Sequence, residues 1–391
     1  MTATATIPVP SPVQHPVESR RLLHGVFAVL GVVMAVWGAR MPAVQASSQL
    51  GPGRLALVLL AAAAGMVIGL QLGGHIAQRH GPARLLALPA AVFGLSLALL
   101  GTCRTLTTLA AAALLFGLAH GVLDVGANTA AVNVERAYQR SIMSSLHSSY
   151  SVGALAGAAL AAATAWAPYP VLFATVGLLT ASAAAASLPL IRAARHLDGP
   201  LEGNPSPPGP QAPRAPLRAV WLLGALAAAC LLGEGAAADW SAVHLHTLHA
   251  TEATAAAAYA VYSAAMATGR LIGDRLNARF GPITVVRTGA TLAAAGLGTC
   301  LVIGSAPVAL IGWASLGLGL STAVPSLISA AGRGGPRAVG RVAATGYLGL
   351  LAGPAVIGAI ASISTVPAAL TLPVALAALV ALLAHRALES R

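Results

Sequence analysis

The chain contains no lysine: all 22 of its basic residues other than histidine are arginine. Without lysine there is no G-x-x-x-x-G-K-[ST] phosphate loop, so ATP cannot drive work within this chain by that device. Charge is scarce as well. Only 8% of residues are charged, against about 25% in a typical soluble domain. With 57% apolar residues and a mean hydropathy of +0.80, an ordinary soluble domain is excluded. Cysteine is limited to Cys103, Cys230 and Cys300. Each stands in apolar surroundings with no C-x-x-C and no adjacent histidine, which makes it a packing residue rather than a metal or redox group. There is no H-E-x-x-H, no G-x-S-x-G and no cluster at metal-ligand spacing, so nothing points to an enzyme, a cofactor or a metal site.

What the chain has instead is long apolar runs. Spans are predicted at residues 22–45, 55–77, 85–103, 105–133, 142–165, 168–191, 218–246, 252–276, 283–303, 307–330, 340–364 and 367–386. About 20 residues at ~1.5 Å each cross a ~30 Å hydrocarbon core. A lipid-exposed segment must satisfy its own backbone, so every span is expected to be helical. The expected fold is an all-α membrane protein of twelve transmembrane helices in two six-helix bundles. Residues 1–20 read as an unfolded tail, 21–191 as the first bundle, 192–217 as a Pro-rich cytoplasmic linker and 218–391 as the second bundle. Arg20-Arg21 faintly resembles a twin-arginine signal, but eleven further spans favour a retained first helix.

Arginine sets the orientation. With both termini cytoplasmic, the tails and even-numbered connections hold eighteen arginines, the opposite side holds Arg54 and Arg104, and Arg40 and Arg270 lie inside spans. This is a positive-inside pattern, and it accounts for the +12 net charge without a nucleic-acid partner. The bacterial cytoplasmic membrane is the expected location.

One stretch occurs twice. GLQLGGHIAQRHGPAR at 69–84 and GRLIGDRLNARFGPIT at 269–284 share Gly69/Gly269, Gly73/Gly273, Arg79/Arg279, Gly81/Gly281 and Pro82/Pro282 at a constant offset of 200 residues. A repeat at half the chain length implies a duplicated folding unit. Small residues four apart, such as Gly65, Gly69 and Gly73, Gly117 and Gly121, Gly153 and Gly157, and Gly349 and Gly353, predict helices whose backbones approach closely.

The six-plus-six pattern, the central linker and the basic turn after the second and eighth spans resemble the major facilitator superfamily. That family's turn reads G-x-x-x-D-R-x-G, and Gly74, Arg79, Gly81 and Arg84 match it, with Gln78 in place of the acid. Asp274-Arg275 keeps an acid one turn earlier in the second copy. WGARMP at 37–42, DVGANTAAVNVE at 124–135, LHSSYSVGALAGA at 146–158, GEGAAADWSAV at 233–243 and GYLGLLAGPAVIG at 346–358 look like the bacterial MosC/YbjJ-type branch. The resemblance implies a secondary transporter with alternating access between its halves. The Gly-Pro motif typical of drug antiporters lacks its proline at Ala154.

Ionisable residues inside spans are costly and are functional candidates by default. In the fourth span His120, Asp124, Asn128 and Glu135 fall within ~80° of arc at ~100° per residue, one polar stripe. The fifth span sets Ser144, His147, Ser148 and Ser151 on one face, with His147 at a depth like that of Asp124, where the two can share a proton. Glu234 lies ~16 residues, about 24 Å, from Arg218. No arginine of its own span pairs with it, which suits a proton-coupling group or a hydrogen-bond donor to substrate. Asp124, Glu234, His147 and His120 are therefore the proton-coupling candidates, and Asn128, Gln71, Tyr259, Tyr262 and Tyr347 the substrate-cavity candidates. In the family the first and seventh helices face each other, which makes Arg40 and Asp239 candidates for an outer gate. Arg79, Arg84, Arg270, Asp274, Arg275 and Glu135 are candidates for an inner one. Bland alternatives stand beside each: a structural acid, a packed histidine, a snorkelling arginine.

The resulting expectation is a monomeric carrier of a small polar, sugar-like solute, coupled to protons. The alternative is a non-transporting membrane sensor or partner subunit on the same fold.

Overall fold

The computed structural model describes residues 17–194, 196–198 and 216–389. Most of the expected tail and linker lies outside these residues. The described chain is helical: α1 Val17–Ala39, α2 Met41–Ser47, α3 Pro52–His80, α4 Arg84–Thr102, α5 Leu106–Tyr138, α6 Met143–Ala163, α7 Tyr169–Ala186 and α8 Leu188–Ala193 come first. They are followed by α9 Leu217–Thr247, α10 Glu252–Phe280, α11 Pro282–Ile303, α12 Ala306–Leu320, α13 Ala323–Ala331, α14 Pro336–Ile363, α15 Val366–Ala369 and α16 Thr371–Glu389. Residues 17–20, expected in the tail, belong to α1, and Ser19 is buried.

Ten helical segments among the described residues are long and apolar enough to cross a membrane. The two long helices outside that set, α6 and α10, carry much of the polar chemistry: Ser144, His147 and Ser151 on one, Arg270 and Asp274 on the other. Near its middle, the span predicted at 307–330 breaks between α12 and α13. Pro325 has no N–H for the Ser321 carbonyl, and the Ser321 hydroxyl instead donates to the Leu318 carbonyl at 2.7 Å.

The duplication reaches down to backbone detail. In the first half the main packing pairs are α1 with α6, α3 with α5, α4 with α7 and α4 with α5; in the second they are the corresponding α9 with α14, α10 with α12, α11 with α16 and α11 with α12. Gly81 and Gly281 end α3 and α10 at φ/ψ of 81°/149° and 79°/148°, in the positive-φ region that favours glycine. The expected close crossings are present as well. A side chain at Gly117 or Gly121 would strike the carbonyls of Ala62 or Met66 on α3, and one at Gly65 or Gly69 those of Leu114 or Leu118 on α5.

The two halves meet mainly where α3 packs on α14 and α6 on α10. These contacts include the arginine-rich end. Gly74, the 200-residue counterpart of Asp274, lies against Pro336 and Arg337 at the start of α14.

Candidate functional site

A cavity lies between the halves, with about 740 Å³ of non-atom space including its mouth. Its polar lining comes from five helices: Asp124 and Asn128 on α5, His147 and Tyr150 on α6, Glu234 on α9, Arg270 on α10 and Tyr347 on α14. The 200-residue offset organises this wall. Asp124 and Val324, Asn128 and Ile328, His147 and Tyr347, and Tyr150 and Leu350 are corresponding positions that all line it. The cavity is therefore built at the pseudo-symmetric junction, with most of its polar groups on the first-half member of each pair.

Asp124 is buried at 7% exposure and opens on this cavity instead of lipid. Asn128, one turn along, donates to the Asp124 carbonyl at 2.9 Å, and its carboxamide oxygen accepts from His147 Nε2 at 3.3 Å. The expected direct partnership of Asp124 with His147 is thus replaced by one in which Asn128 stands between them. The His147 ring also packs on Phe27, with centroids 5.2 Å apart.

Glu234 is not the lone acid the sequence suggested. Arg270 Nη2 lies 3.6 Å from Glu234 Oε2, and Arg270 Nη1 donates to the Ser151 hydroxyl of α6 at 2.8 Å. The partner comes from the next helix, which inspection of Glu234's own span could not reveal. Arg270 itself, grouped with the inner gate on its place in the repeated stretch, lines the cavity. Asp274, one turn further on α10, instead joins Glu135 in contacts between the halves.

Those contacts cap α6. Glu135 accepts from the Ile142 and Met143 amides at 2.9 and 3.0 Å and from the Ser329 hydroxyl of α13 at 2.6 Å. Asp274 accepts from the Ser144 and Ser145 amides, both at 2.9 Å, and from the Ser141 hydroxyl at 3.2 Å. Arg136 adds a bond to the Gly332 carbonyl at 2.7 Å. Arg79, Arg84 and Arg275 are exposed side chains at the same end and take no part in this cluster.

Other candidates are placed elsewhere. His120 does not itself line the cavity: it is buried between Phe93 of α4, on which its ring stacks at 5.3 Å between centroids, and Tyr347 of the cavity wall, which it meets edge-on at 6.3 Å. Gln71 is half-buried on α3 and does not line the cavity. Tyr259 is 45% exposed and stacks on the buried Tyr262 at 6.0 Å, and neither lines the cavity wall. Arg40 bonds the Thr164 and Ala165 carbonyls at the end of α6, within its own half, and Asp239 is exposed. The sequence reading missed Tyr150, one turn from His147, whose helical spacing was signal enough. It also missed Asp198, which accepts from the Ala83 amide at 2.9 Å beside Gly81 and so supplies an acid to the turn whose own motif lacks one.

Comparison with known proteins agrees with this architecture. The chain is 36% identical over 349 residues to an uncharacterised MFS-type transporter of Yersinia pestis, covering 87% of this chain and 88% of that one. It is 30% identical over 342 residues to the membrane protein MosC of Rhizobium meliloti, covering 86% and 82%. Its fold is similar to that of FucP, the E. coli fucose:proton symporter, in the outward conformation, with a TM-score of 0.75 at 18% identity over 94% of this chain and 98% of that one. The profile of the Major Facilitator Superfamily matches residues 25–336. With repeated helix pairs, a polar cavity at their junction and relatives that match along most of its length, the chain belongs to the Major Facilitator Superfamily of transporters.

Proposed function

We propose that this protein is a secondary active transporter that moves a small polar organic solute by alternating access, with protons as the coupling ion. The reading rests above all on one observation: Asp124 and Glu234, from different halves of the chain, line one cavity. Acids within a membrane are costly and mark solute or proton pathways. Asn128, His147, Arg270 and Tyr347 add hydrogen-bonding capacity suited to a polar solute.

On this reading residues 21–191 and 218–391 act as two six-helix bundles joined by the linker at 192–217. All twelve long helical segments cross the bilayer, α6 and α10 included, their polarity serving the cavity. The arginine-rich end faces the cytoplasm of a bacterial cell, so both termini are cytoplasmic. The Glu135 and Asp274 cluster then closes the inner side and the cavity serves the outer side. The working unit is a monomer.

Reconstitution into proteoliposomes tests this. A metabolite library is first screened for thermal stabilisation, since a ligand of the native form raises its apparent stability. Hits are then assayed for uptake under an imposed pH gradient. Wild type accumulates the solute, whereas Asp124→Asn and Glu234→Gln lose gradient-driven accumulation. A folded protein that moves no stabilising solute, and whose acids are dispensable, is instead a sensor or partner subunit.

A further inference from the structure

We infer that Arg270 is the anion-receiving group of the cavity and that the transported solute carries a carboxylate; this rests on the carrier reading above and narrows it. A guanidinium has five N–H donors in a planar fork, and its Nε and Nη2 edge matches a carboxylate bidentately. In Arg270, Nη1 is occupied by the Ser151 hydroxyl at 2.8 Å. The Nε and Nη2 edge has no hydrogen-bonded partner. Nε is buried without a hydrogen-bond partner, and Nη2 stands 3.6 Å from Glu234. Charge-assisted N–H···O bonds lie near 2.7–2.9 Å, so Glu234 neutralises this edge without hydrogen-bonding to it. The burial of the pair is unequal too, with side-chain exposures of 9% for Arg270 and 32% for Glu234. A deeply buried fork with an unbonded edge, faced by a more exposed carboxylate held at a distance, is one that a second carboxylate can engage once the side chains covering Nε move aside.

Such a solute changes the charge of the cavity. Its carboxylate would join Glu234 and Asp124 around one arginine, an excess of negative charge that proton uptake on the resident carboxyls relieves. Anion entry and proton entry are thereby tied together. The other titratable groups near Glu234 include His147 and Tyr150 on α6, Cys230 on α9, Tyr259 and Tyr262 on α10 and Tyr347 on α14. Asp124 and Glu234 are the two carboxyl groups among the residues that line the cavity.

The test compares, at one fixed pH, hydroxy acids of three to six carbons, gluconate and glucuronate among them, with glucose, glucitol and the other neutral compounds of the same skeletons. Thermal stabilisation of the purified full chain is the first readout. One or more acids stabilise wild type and their neutral counterparts do not. Arg270→Gln abolishes the effect, and Arg270→Lys, which keeps the charge but loses the fork, weakens it by roughly tenfold. Glu234→Gln binds the acid as well as wild type or better, because the competing carboxylate is gone. Neutral compounds that stabilise wild type and Arg270→Gln equally overturn the assignment, as does failure of the whole acid series, or a Glu234→Gln protein that is folded yet loses the acid as Arg270→Gln does. A neutral solute whose uptake into proteoliposomes survives Arg270→Gln leaves the carrier reading standing and removes only this one.

Discussion

Glu135 and Asp274 divide between them the four free amide N–H groups at the start of α6, Ile142 and Met143 going to one and Ser144 and Ser145 to the other. The first four amides of any helix lack intrahelical acceptors and form the positive end of its dipole. Here Glu135 comes from the first half of the chain and Asp274 from the second. The helix end is fully capped only while the halves touch at the arginine-rich end, and on the carrier reading proposed above this cap would double as a latch. It is one-sided, because Gly74 occupies the position equivalent to Asp274 and offers α14 no carboxylate.

Asp274→Asn weakens this latch. Losing a charged helix cap costs about 1–2 kcal/mol, enough to shift an open-to-closed population roughly 5- to 30-fold. A cysteine introduced at Ala343, on the cavity wall, reports the change by its labelling from the arginine-rich side. The native cysteines are buried and leave a low background. Unchanged labelling in a folded variant would show that the cap does not hold the end closed.

Asn128→Ala removes the group between Asp124 and His147. The His147 Nε2 hydrogen bond at 3.3 Å is lost, and the ring keeps only its packing on Phe27. Solute uptake should fall about tenfold or more, and the part-buried His147 nitrogen left without a partner should also lower stability by about 1–3 kcal/mol, read as a lower melting temperature. Wild-type uptake would mean that the three side chains do not act as a unit.

Gly117→Val sets a branched side chain against the Ala62 carbonyl on α3. No rotamer change relieves a clash with backbone, so α3 and α5 must separate, at a cost of roughly 1–3 kcal/mol. A melting temperature several degrees lower in detergent is expected, with Gly117→Ala intermediate. An unshifted melting temperature would mean that this crossing is loose.

Arg40 and Asp239 are proposed to meet when the arginine-rich end opens and the opposite end closes. In the present structure Arg40 is engaged with the end of α6. The reversed pair Arg40→Asp with Asp239→Arg should recover uptake that either single reversal destroys. Normal expression without recovery would rule the pairing out.

Asp198→Ala should lower stability by about 1 kcal/mol through loss of the Ala83 amide cap. The nearby Asn133 bond to the Leu197 carbonyl at 2.8 Å keeps this segment attached, so a melting shift without loss of uptake is the expected result.

Several features were readable from the residues because they are local. Apolar run length set most helices to within a few residues, whereas the span predicted at 22–45 starts earlier, at Val17, and ends at Ala39, where Pro42 in the first turn of α2 starts a separate short helix. The glycine spacings marked the faces of α3 and α5 at which backbones approach closely, since a helix face follows from its period alone, but not that these two helices face each other. Glu234 was misread for the opposite reason: a carboxylate's environment includes every neighbouring helix, and its arginine lies 36 residues further along the chain.

By itself, then, the sequence determined an all-helical, internally duplicated chain with its arginines gathered toward one end, because length, periodicity and charge placement act along the chain. Tertiary packing alone decided which polar residues share the cavity. It stacked His120 on Phe93 and left Gln71 and Tyr259 outside, brought Tyr150 and Arg270 in, and lent Asp274 to a helix of the other half. The physical reason is that helical period fixes a side chain's angle about its own axis, whereas what that side chain meets depends on the rotation and depth of the helices packed against it, which only the folded assembly sets.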